Sequence, residues 1–392
     1  MVVYASYPLG ETRVERQAHA LLVRGIQVDL ICLRRGNEPA FENVDGVHVY
    51  RMPVHRTKYK GGGVVLQFFE YLAFSFMASV RLTCLCLKHR YNVVQVHNLP
   101  DFLVFSAFFP KLIGVAVILD LHDLMPEFYA ERFHKSMDSG MVRLVRWQEK
   151  ASCRFANHVI TVTGLWRQSL IQRGHLSEKI SVIMNVADDR VFNRRTIQKV
   201  ERRRNGFHLI YHGTMARRHG LDVALRALDI VRRTAPDVYL TLHGGGEILK
   251  ALRTLTEELK LQGHVQFSTR LVTAAELAVL IASADLAVVP YQDGIFTGGI
   301  LPTKLIEYAM MGIPAVVART PAIASYFRPD EVHFFSPGNV QELADSILAL
   351  YRDRVRLATL AEAISRFNER HHWAGQGRTY TELVERLGTR EG

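Results

Sequence analysis

Short apolar runs alternate with segments of helical period along the whole chain. In the first half the runs are VVYAS, IQVDLICL, VHVYRM, NVVQVHN, VAVILDLHD, NHVITVT and ISVIMN; in the second they are FHLIYHG, VYLTLHG, HVQFS, DLAVVP, PAVVA and VHFFS. Runs this short and this rich in β-branched residues predict buried strands, and their alternation with helices predicts a doubly wound α/β architecture. The pattern lapses over residues 193–206 (NRRTIQKVERRRNG), which are polar and carry no core periodicity. That stretch predicts a linker between a first domain over residues 1–192 and a second that begins at residue 207. Two α/β halves of this kind bind ligands at the carboxyl ends of their strands, so candidate chemistry belongs just after each run.

One apolar segment is too long for a strand. Within residues 61–90 the stretch from Val64 to Leu87 is long enough to cross a bilayer, but Gln67, Glu70 and Arg81 interrupt it, and charge at mid-bilayer depth is costly. The pattern reads as two helices resting on the protein or dipping into a lipid interface, with a wholly buried helix pair as the alternative. Arg56, Lys58 and Lys60 precede the segment and Lys88, His89 and Arg90 follow it, cations suited to anionic headgroups.

Composition adds limits. A length of 392 residues accommodates two domains with a core each, and 48% apolar with 22% charged residues excludes wholesale disorder. The net charge of +11 points to anionic partners, whether nucleic acid, acidic lipid or a phosphorylated substrate. The basic run of the linker has no interleaved aromatic residues and no recognised binding motif around it, so nucleic acid is not expected. Cys32, Cys84, Cys86 and Cys153 form no C-x-x-C pair and no spacing matched to histidines, which argues against zinc and against a disulfide framework. With no basic leader or cleavage site ahead of the first apolar run, the expected location is the cytoplasm.

Three of the predicted strand ends carry glycines. In YHGTMARRHG, Gly213 and Gly220 bracket Arg217 and Arg218 ahead of a helix that starts near Leu221. Glycine permits close backbone approach, a helix N-terminus offers free amide donors, and guanidinium pairs with phosphate oxygens. Taken alone, the loop reads equally well as a turn with solvated arginines. In LHGGGE, Gly244, Gly245 and Gly246 suggest a backbone that passes close to something, although a strand-to-helix turn also explains them. In DGIFTGGILPTKLIEY, Gly298 and Gly299 precede a helix whose first turn holds Pro302, Thr303 and Lys304. A lysine there opposes the helix dipole unless an anion balances it.

Glu307 lies one turn beyond Lys304 on the same face. The two read either as an exposed ion pair, worth well under ~1 kcal/mol, or as part of a site. Three such loops on one sheet, two of them supplying cations, predict phosphate binding. A carboxylate is repelled by a diphosphate, but it accepts hydrogen bonds from the two hydroxyls of an adjoining ribose. Glu307 therefore predicts a nucleotide.

At these residues the chain resembles family 4 glycosyltransferases. SVIMNVADDRVF is similar to their IPNGVD...F segment, LIEYAMMGIPAVVA to their LEAMACGTPVVA helix and strand, and LHGGGE to their VGDGPE loop. VQFSTRLVTAAELAVLIASADLAVVP resembles the stretch between that loop and the donor helix, and YPLGETRVERQAHALLVRGIQVDLICL resembles their first β-α-β unit, so the likeness runs across nearly the whole chain. The resemblance implies an α/β GT-B fold, two Rossmann-like domains facing across a cleft, with the acceptor site mainly in the first and the nucleotide-sugar site mainly in the second. It implies a second domain over residues 207–374 and a helix over residues 375–392 that crosses back to the first. It also implies retaining transfer without a metal or other cofactor, from a nucleotide-diphosphate sugar, UDP-linked by preference.

The resemblance further assigns roles. Glu307 corresponds to the ribose-holding second glutamate of the family's paired motif, and His122, in LDLHDLMPEF, to a histidine at the donor sugar near the reacting carbon. The donor site is expected to comprise Gly213, Thr214, Arg217 and Arg218, then Gly244 and Gly245, then Gly299, Ile300, Leu301, Lys304 and Glu307. Acceptor contacts are expected from Arg13, His97, Asp101, Asp123 and Glu127, with Glu127 also a candidate base. Two departures stand out: the first glutamate of the pair is Gly299 here, and the usual phosphate-binding arginine and lysine fall on Thr214 and His219. Arg217 and Arg218 are then the local substitutes.

The expected activity is sugar transfer to a lipid-linked or polysaccharide-precursor acceptor, by a cytoplasmic enzyme peripheral at the inner face of an anionic membrane. The competing readings are a nucleotide-sugar epimerase or hydrolase on the same fold and a catalytically silent nucleotide-sugar-binding protein.

Overall fold

The computed structural model describes residues 1–8, 11–54, 64–194 and 206–389. Gly10, the cations Arg56, Lys58 and Lys60, and residues 195–205 of the expected linker lie outside the described residues. The chain divides into two compact units, one of Met1–Asn185 with Ala374–Gly392 and one of Val186–Trp373. Residues 186–192, read from sequence as part of the first domain, thus group with the second.

The first unit holds strands β1 (Asp29–Leu33), β2 (Phe41–Val44), β3 (Val47–Met52), β4 (Val93–His97), β5 (Ala116–Leu121), β6 (His158–Thr161) and β7 (Ile180–Val182). They run in the orders β1-β3-β2 and β4-β5-β6-β7, joined by Val2, which bridges Ile31 and Val96 in parallel. The predicted strand VVYAS therefore contributes a single bridging residue. All pairs are parallel except β2 with β3. No apolar run announces β2, because its residues are mostly exposed. Its signal is the turn instead: Asp45 and Gly46, at φ +49° and +90°, form the two-residue Asp-Gly connection that suits a twisted hairpin.

The long apolar segment is one continuous helix, Val64–Lys88, and not two. No glycine or proline falls inside it to break it. Phe74, Ala78, Leu82 and Leu85 bury one stripe of the helix. The final helix, Trp373–Gly388, belongs to the first unit: Tyr380, Leu383 and Val384 join its core, and Tyr380 Oη donates to Gln95 Oε1 at 2.6 Å.

The second unit is a six-stranded parallel sheet built from β8 (Phe207–His212), β9 (Val238–His243), β10 (Val265–Ser268), β11 (Leu286–Val289), β12 (Ala315–Ala318) and β13 (His333–Phe335). Every residue of β8, β9, β11 and β12 is buried, as expected of a parallel sheet covered on both faces. The spatial order is β10-β9-β8-β11-β12-β13. Strand order reverses between β8 and β11, so the loops leaving those two strands diverge and open a crevice at their carboxyl ends.

Candidate functional site

In the second unit the loops after β8, β9 and β11 meet at that crevice. Gly213 and Gly244, at φ +106° and +123°, adopt backbone that favours glycine. A Cβ on Gly244 would stand 2.2 Å from the Gly213 carbonyl oxygen, and one on Gly213 would stand 3.3 Å from Lys304 Cε. What the glycine loop after β9 passes close to is therefore the loop after β8, and the two are tied by Gly213 N–H to His243 O (2.9 Å) and Met215 N–H to Gly245 O (2.8 Å). Gly245 itself is exposed.

Lys304 closes this arrangement from the first turn of helix Thr303–Met311. It is buried, its Nζ donates to Tyr291 Oη at 2.9 Å, and it lies 4.9 and 5.0 Å from the ring centroids of Tyr211 and Tyr291. Burial opposes its charge, but the two tyrosines, with a smaller pull from Glu307, outweigh that and raise its pKa above the ordinary lysine range. Lys304 thus holds its charge against the Gly213 backbone. The exposed Lys304–Glu307 ion pair is overturned: Lys304 is buried on tyrosine, and Glu307 Oε2 lies 2.5 Å from His212 Nε2.

The remaining expected donor residues divide. Arg218 is half-buried, its guanidinium 5.8 Å from the Phe296 ring centroid, and its carbonyl accepts Gln292 N–H at 3.0 Å, so it turns toward the loop after β11. Arg217 is exposed. His219 is buried and stacked on Tyr291 at 4.6 Å; burial, then Lys304 and Arg218, lower its pKa to about 3, so it is no cation. The Thr214 side chain is exposed while its carbonyl accepts from Tyr211 Oη and His219 Nδ1, each at 2.7 Å. Gly299 and Ile300 are half-buried and Leu301 is buried on the approach to Lys304.

In the first unit the ends of β4 and β5 carry His97, Asn98, Asp101, His122 and Asp123. Asn98 clips them together. Its Nδ2 donates to Asp101 Oδ1 (2.9 Å) and to the Asp123 carbonyl (2.5 Å), and its Oδ1 accepts His122 N–H (3.1 Å). His122 is half-buried, and burial, with the nearby Arg13 and His97, outweighs the Asp120 carboxylate and lowers its pKa to about 4. Asp101 is fully buried, and burial raises its pKa to about 7 against the pull of Asn98 and Arg173.

Two expected acceptor contacts are corrected. Arg13 is buried and its fork is taken up: Nε and Nη2 donate to Asp120 at 3.0 Å each and Nη1 to the Ile183 carbonyl at 3.0 Å. Glu127 is buried in an ion pair with Arg173, which also holds Glu149 at 2.7 Å, so its carboxylate is engaged and does not stand ready as a base. Sequence reading passed over Asp120, which sits inside the apolar run AVILDL, and with it the reason an arginine follows the first loop. It also passed over Tyr211, Tyr291, His212 and Tyr308, for which the signal was position alone, at strand ends or beside Glu307.

Ligand atoms of His97, Asp120 and His122 lie within 4.8 Å of one another, a spacing that could hold a metal ion. The Asp120 oxygens, however, already accept from Arg13 at two points, from Gln17 (3.0 Å) and from Gln95 (3.3 Å). A cation there would share the carboxylate with a guanidinium, so the donor set fits a hydrogen-bonded brace better than a metal site. Burial opposes the Asp120 charge, but Arg13, with His97, holds its carboxyl well below the usual range.

Fold and strand-end loops together define an α/β protein of two units. Residues 193–371 match the family described as Glycosyl transferases group 1, and residues 10–185 match the Glycosyl transferase 4-like domain. The chain belongs to the GT-B glycosyltransferases of this group 1, family 4 type. It is 35% identical over 106 residues to a GDP-mannose-dependent alpha-(1-6)-phosphatidylinositol monomannoside mannosyltransferase of Mycolicibacterium smegmatis, covering 26% of this chain and 27% of the relative. It is 25% identical over 241 residues to an uncharacterized glycosyltransferase, YqgM, of Bacillus subtilis, covering 61% and 64%. The chain thus spans less than two thirds of the length of either relative. Among solved structures it is similar in fold to sucrose-phosphate synthase of Thermosynechococcus elongatus (TM-score 0.76, 17% identity, 98% of each chain). It is likewise similar to HepE of Anabaena in complex with UDP (TM-score 0.69, 16% identity, 98% of each chain).

Proposed function

We propose that this enzyme moves a sugar from a nucleotide-diphosphate sugar to a lipid-linked or polysaccharide-precursor acceptor, with retention and without a metal. The observation that carries the reading is Lys304, a buried cation held against the Gly213 backbone, one helical turn from the Glu307 carboxylate. In this reading Lys304, Arg218 and the amides of the glycine loops balance the diphosphate, and Glu307 accepts from the ribose hydroxyls. His122, neutral above about pH 4, contacts the sugar near the reacting carbon. Stabilising the departing diphosphate is then the largest catalytic effect, and the departing phosphate itself assists removal of the acceptor proton. Of the buried carboxylates of the first unit, Asp120 is engaged by Arg13 and Glu127 and Glu149 by Arg173, while Asp101 accepts from Asn98 and is pushed by burial toward its protonated form, which supports a mechanism without a carboxylate nucleophile.

The resemblance implies a UDP-linked donor by preference, while the mycobacterial relative is named for GDP-mannose, so the test pairs both. UDP- and GDP-linked sugars are titrated against the protein and against Glu307→Ala, and the tighter donor is then offered with lipid-linked acceptors. Donor affinity is expected to fall at least about tenfold in the variant, the loss of charge-assisted hydrogen bonds. Unchanged affinity in a folded variant would remove the ribose role. Donor hydrolysis that no acceptor accelerates would favour the hydrolase reading.

The acceptor is met at a membrane in this reading. Over Leu66–Lys88 the long helix meets the length and composition needed to cross a bilayer, yet little of that span is buried. Glu70 and Arg81 face the protein: Tyr4 Oη donates to Glu70, and Arg81 lies over the Tyr50 ring at 4.5 Å, while Gln67 donates to Tyr71 Oη within the helix. Its apolar residues Phe69, Leu72, Phe76 and Val80 face outward, a pattern at odds with the wholly buried alternative. Phe108, Leu112 and Ile113, on segments it packs against, are exposed as well. Apolar side chains outward with the cations Lys88 and Arg90 at one end suit an anionic lipid surface at the cytoplasmic face.

A further inference from the structure

The Glu307 carboxylate is held on the protein side before any ligand arrives. Its Oε2 lies 2.5 Å from His212 Nε2; His212 Nδ1 lies 2.8 Å from Tyr308 Oη, and that oxygen also accepts the His212 backbone N–H at 3.1 Å. His212 is the last residue of β8 and immediately precedes Gly213, so the group that holds Glu307 and the loop that meets Lys304 are consecutive in the chain. His212 and Tyr308 are buried, while Glu307 is half-buried and reachable.

The hydrogen-bond inventory assigns the proton positions. An ionised carboxylate only accepts, so Nε2 carries the proton that it shares with Glu307. The fully buried Tyr308 hydroxyl, already accepting from a backbone N–H, needs an acceptor for its own proton, and Nδ1 is its partner. Tyr308 therefore fixes the His212 tautomer, and His212 fixes one oxygen of Glu307. Among the described residues Glu307 makes no second hydrogen bond, which leaves its other oxygen to a ligand.

We propose that His212, held in one tautomer by Tyr308, is the positioning residue that orients Glu307 toward the two hydroxyls of a nucleotide ribose. The inference rests on the ribose reading of Glu307 and goes beyond it in naming what makes that contact specific. A glutamate without such a partner loses side-chain rotamer freedom on binding, and a bidentate contact to two neighbouring hydroxyls also needs the carboxylate plane set. Nothing in His212 or Tyr308 has to touch the nucleotide.

The test deletes the hydroxyls from the ligand and the partner from the protein. UDP and GDP, and the 2′,3′-dideoxy form of each, are titrated calorimetrically against the full chain and its variants, and the ratio of ribo to dideoxy affinity is read for the tighter base. The intact protein is expected to prefer the ribonucleotide by roughly 30-fold, the scale of lost hydrogen bonds to a charged partner. His212→Phe should bring that ratio to within about threefold, whereas His212→Gln, which keeps a donor near the Nε2 position, should retain at least about tenfold. A merely structural histidine would weaken both ligands alike, so an unchanged ratio in folded His212→Phe overturns the proposal. If His212→Phe does not fold, Tyr308→Phe carries the test: the ratio should fall by about threefold, and no fall overturns the proposal. Glu307→Gln separates the two levels. A ratio unchanged in Glu307→Gln removes the ribose reading and this one with it; a ratio lost in Glu307→Gln but kept in His212→Phe removes the positioning role alone.

Discussion

Gly213 shows what a missing side chain does at this site. With φ at +106° and Lys304 Cε only 3.3 Å from where a Cβ would stand, Gly213→Ala would be strained and would push the lysine off its tyrosines. Donor affinity should fall about tenfold and stability by about 1–2 kcal/mol; titration and urea melts measure both, and full donor affinity in the alanine variant would mean that Lys304 does not face the phosphates. The arginines of the same loop should differ. Arg218→Ala, which removes the half-buried guanidinium at Phe296, is expected to cost more donor affinity than Arg217→Ala, and equal losses would contradict that orientation. His122→Ala should lower kcat at least about tenfold with KM little changed, because a contact near the reacting carbon strengthens in the transition state. A raised KM at unchanged kcat would make His122 a binding group. Sequence anticipated Lys304 and Glu307 as neighbours on one face, but the partners that set their chemistry, Tyr291 and His212, were not legible, since neither lies on that helix.

At the scale of elements, the helix Val64–Lys88 separates composition from orientation. Its apolar content was plain in the sequence, and its continuity follows from the lack of any breaker. That its Glu70 and Arg81 turn inward, onto Tyr4 and Tyr50, while Phe69 and Phe76 face outward, depends on segments 66 and 31 residues away along the chain. Replacing Phe76 and Val80 by glutamate should leave the fold intact, because both are exposed, and should abolish sedimentation with anionic vesicles. The intact protein is expected to bind anionic but not neutral vesicles and to be released by salt. Retention of the double variant would place the lipid contact elsewhere, and extraction by detergent alone would mean that the helix spans. The hairpin β2–β3 makes the complementary point: an exposed strand has no apolar run, yet its Asp-Gly turn was there to be read.

For the molecule as a whole, histidines held neutral in the fold contribute to the acid response. His122 has a folded pKa of about 4 against an unfolded value of 6.5, so between those values the unfolded chain binds a proton that the folded chain refuses. Stability from this group is therefore lost as pH falls from 6.5 toward 4; His158 and His219 act in the same direction. Asp101, raised to about 7 by burial, acts oppositely, since the folded chain holds its proton from about pH 7 down to the ordinary carboxylate range. In urea melts His122→Asn should gain stability relative to the unaltered protein on going from pH 7.5 to pH 5. A difference that does not change with pH would mean that His122 is not held neutral.

The sequence by itself determined the alternation of strands and helices, and through it the doubly wound class, because hydrophobic periodicity and glycine punctuation are properties of a few adjacent residues. It also marked which loops carry glycine and cation. What only the tertiary structure decided is where each charge goes. Arg13 reads as a free cation near a loop until β5 brings Asp120, 107 residues away, to meet it. Glu307 reads as a partner for Lys304 until β8 delivers His212 from 95 residues earlier. Ion pairs and buried hydrogen bonds form between groups made neighbours by strand order, and strand order is set by the packing of the whole unit, which no local window of sequence contains.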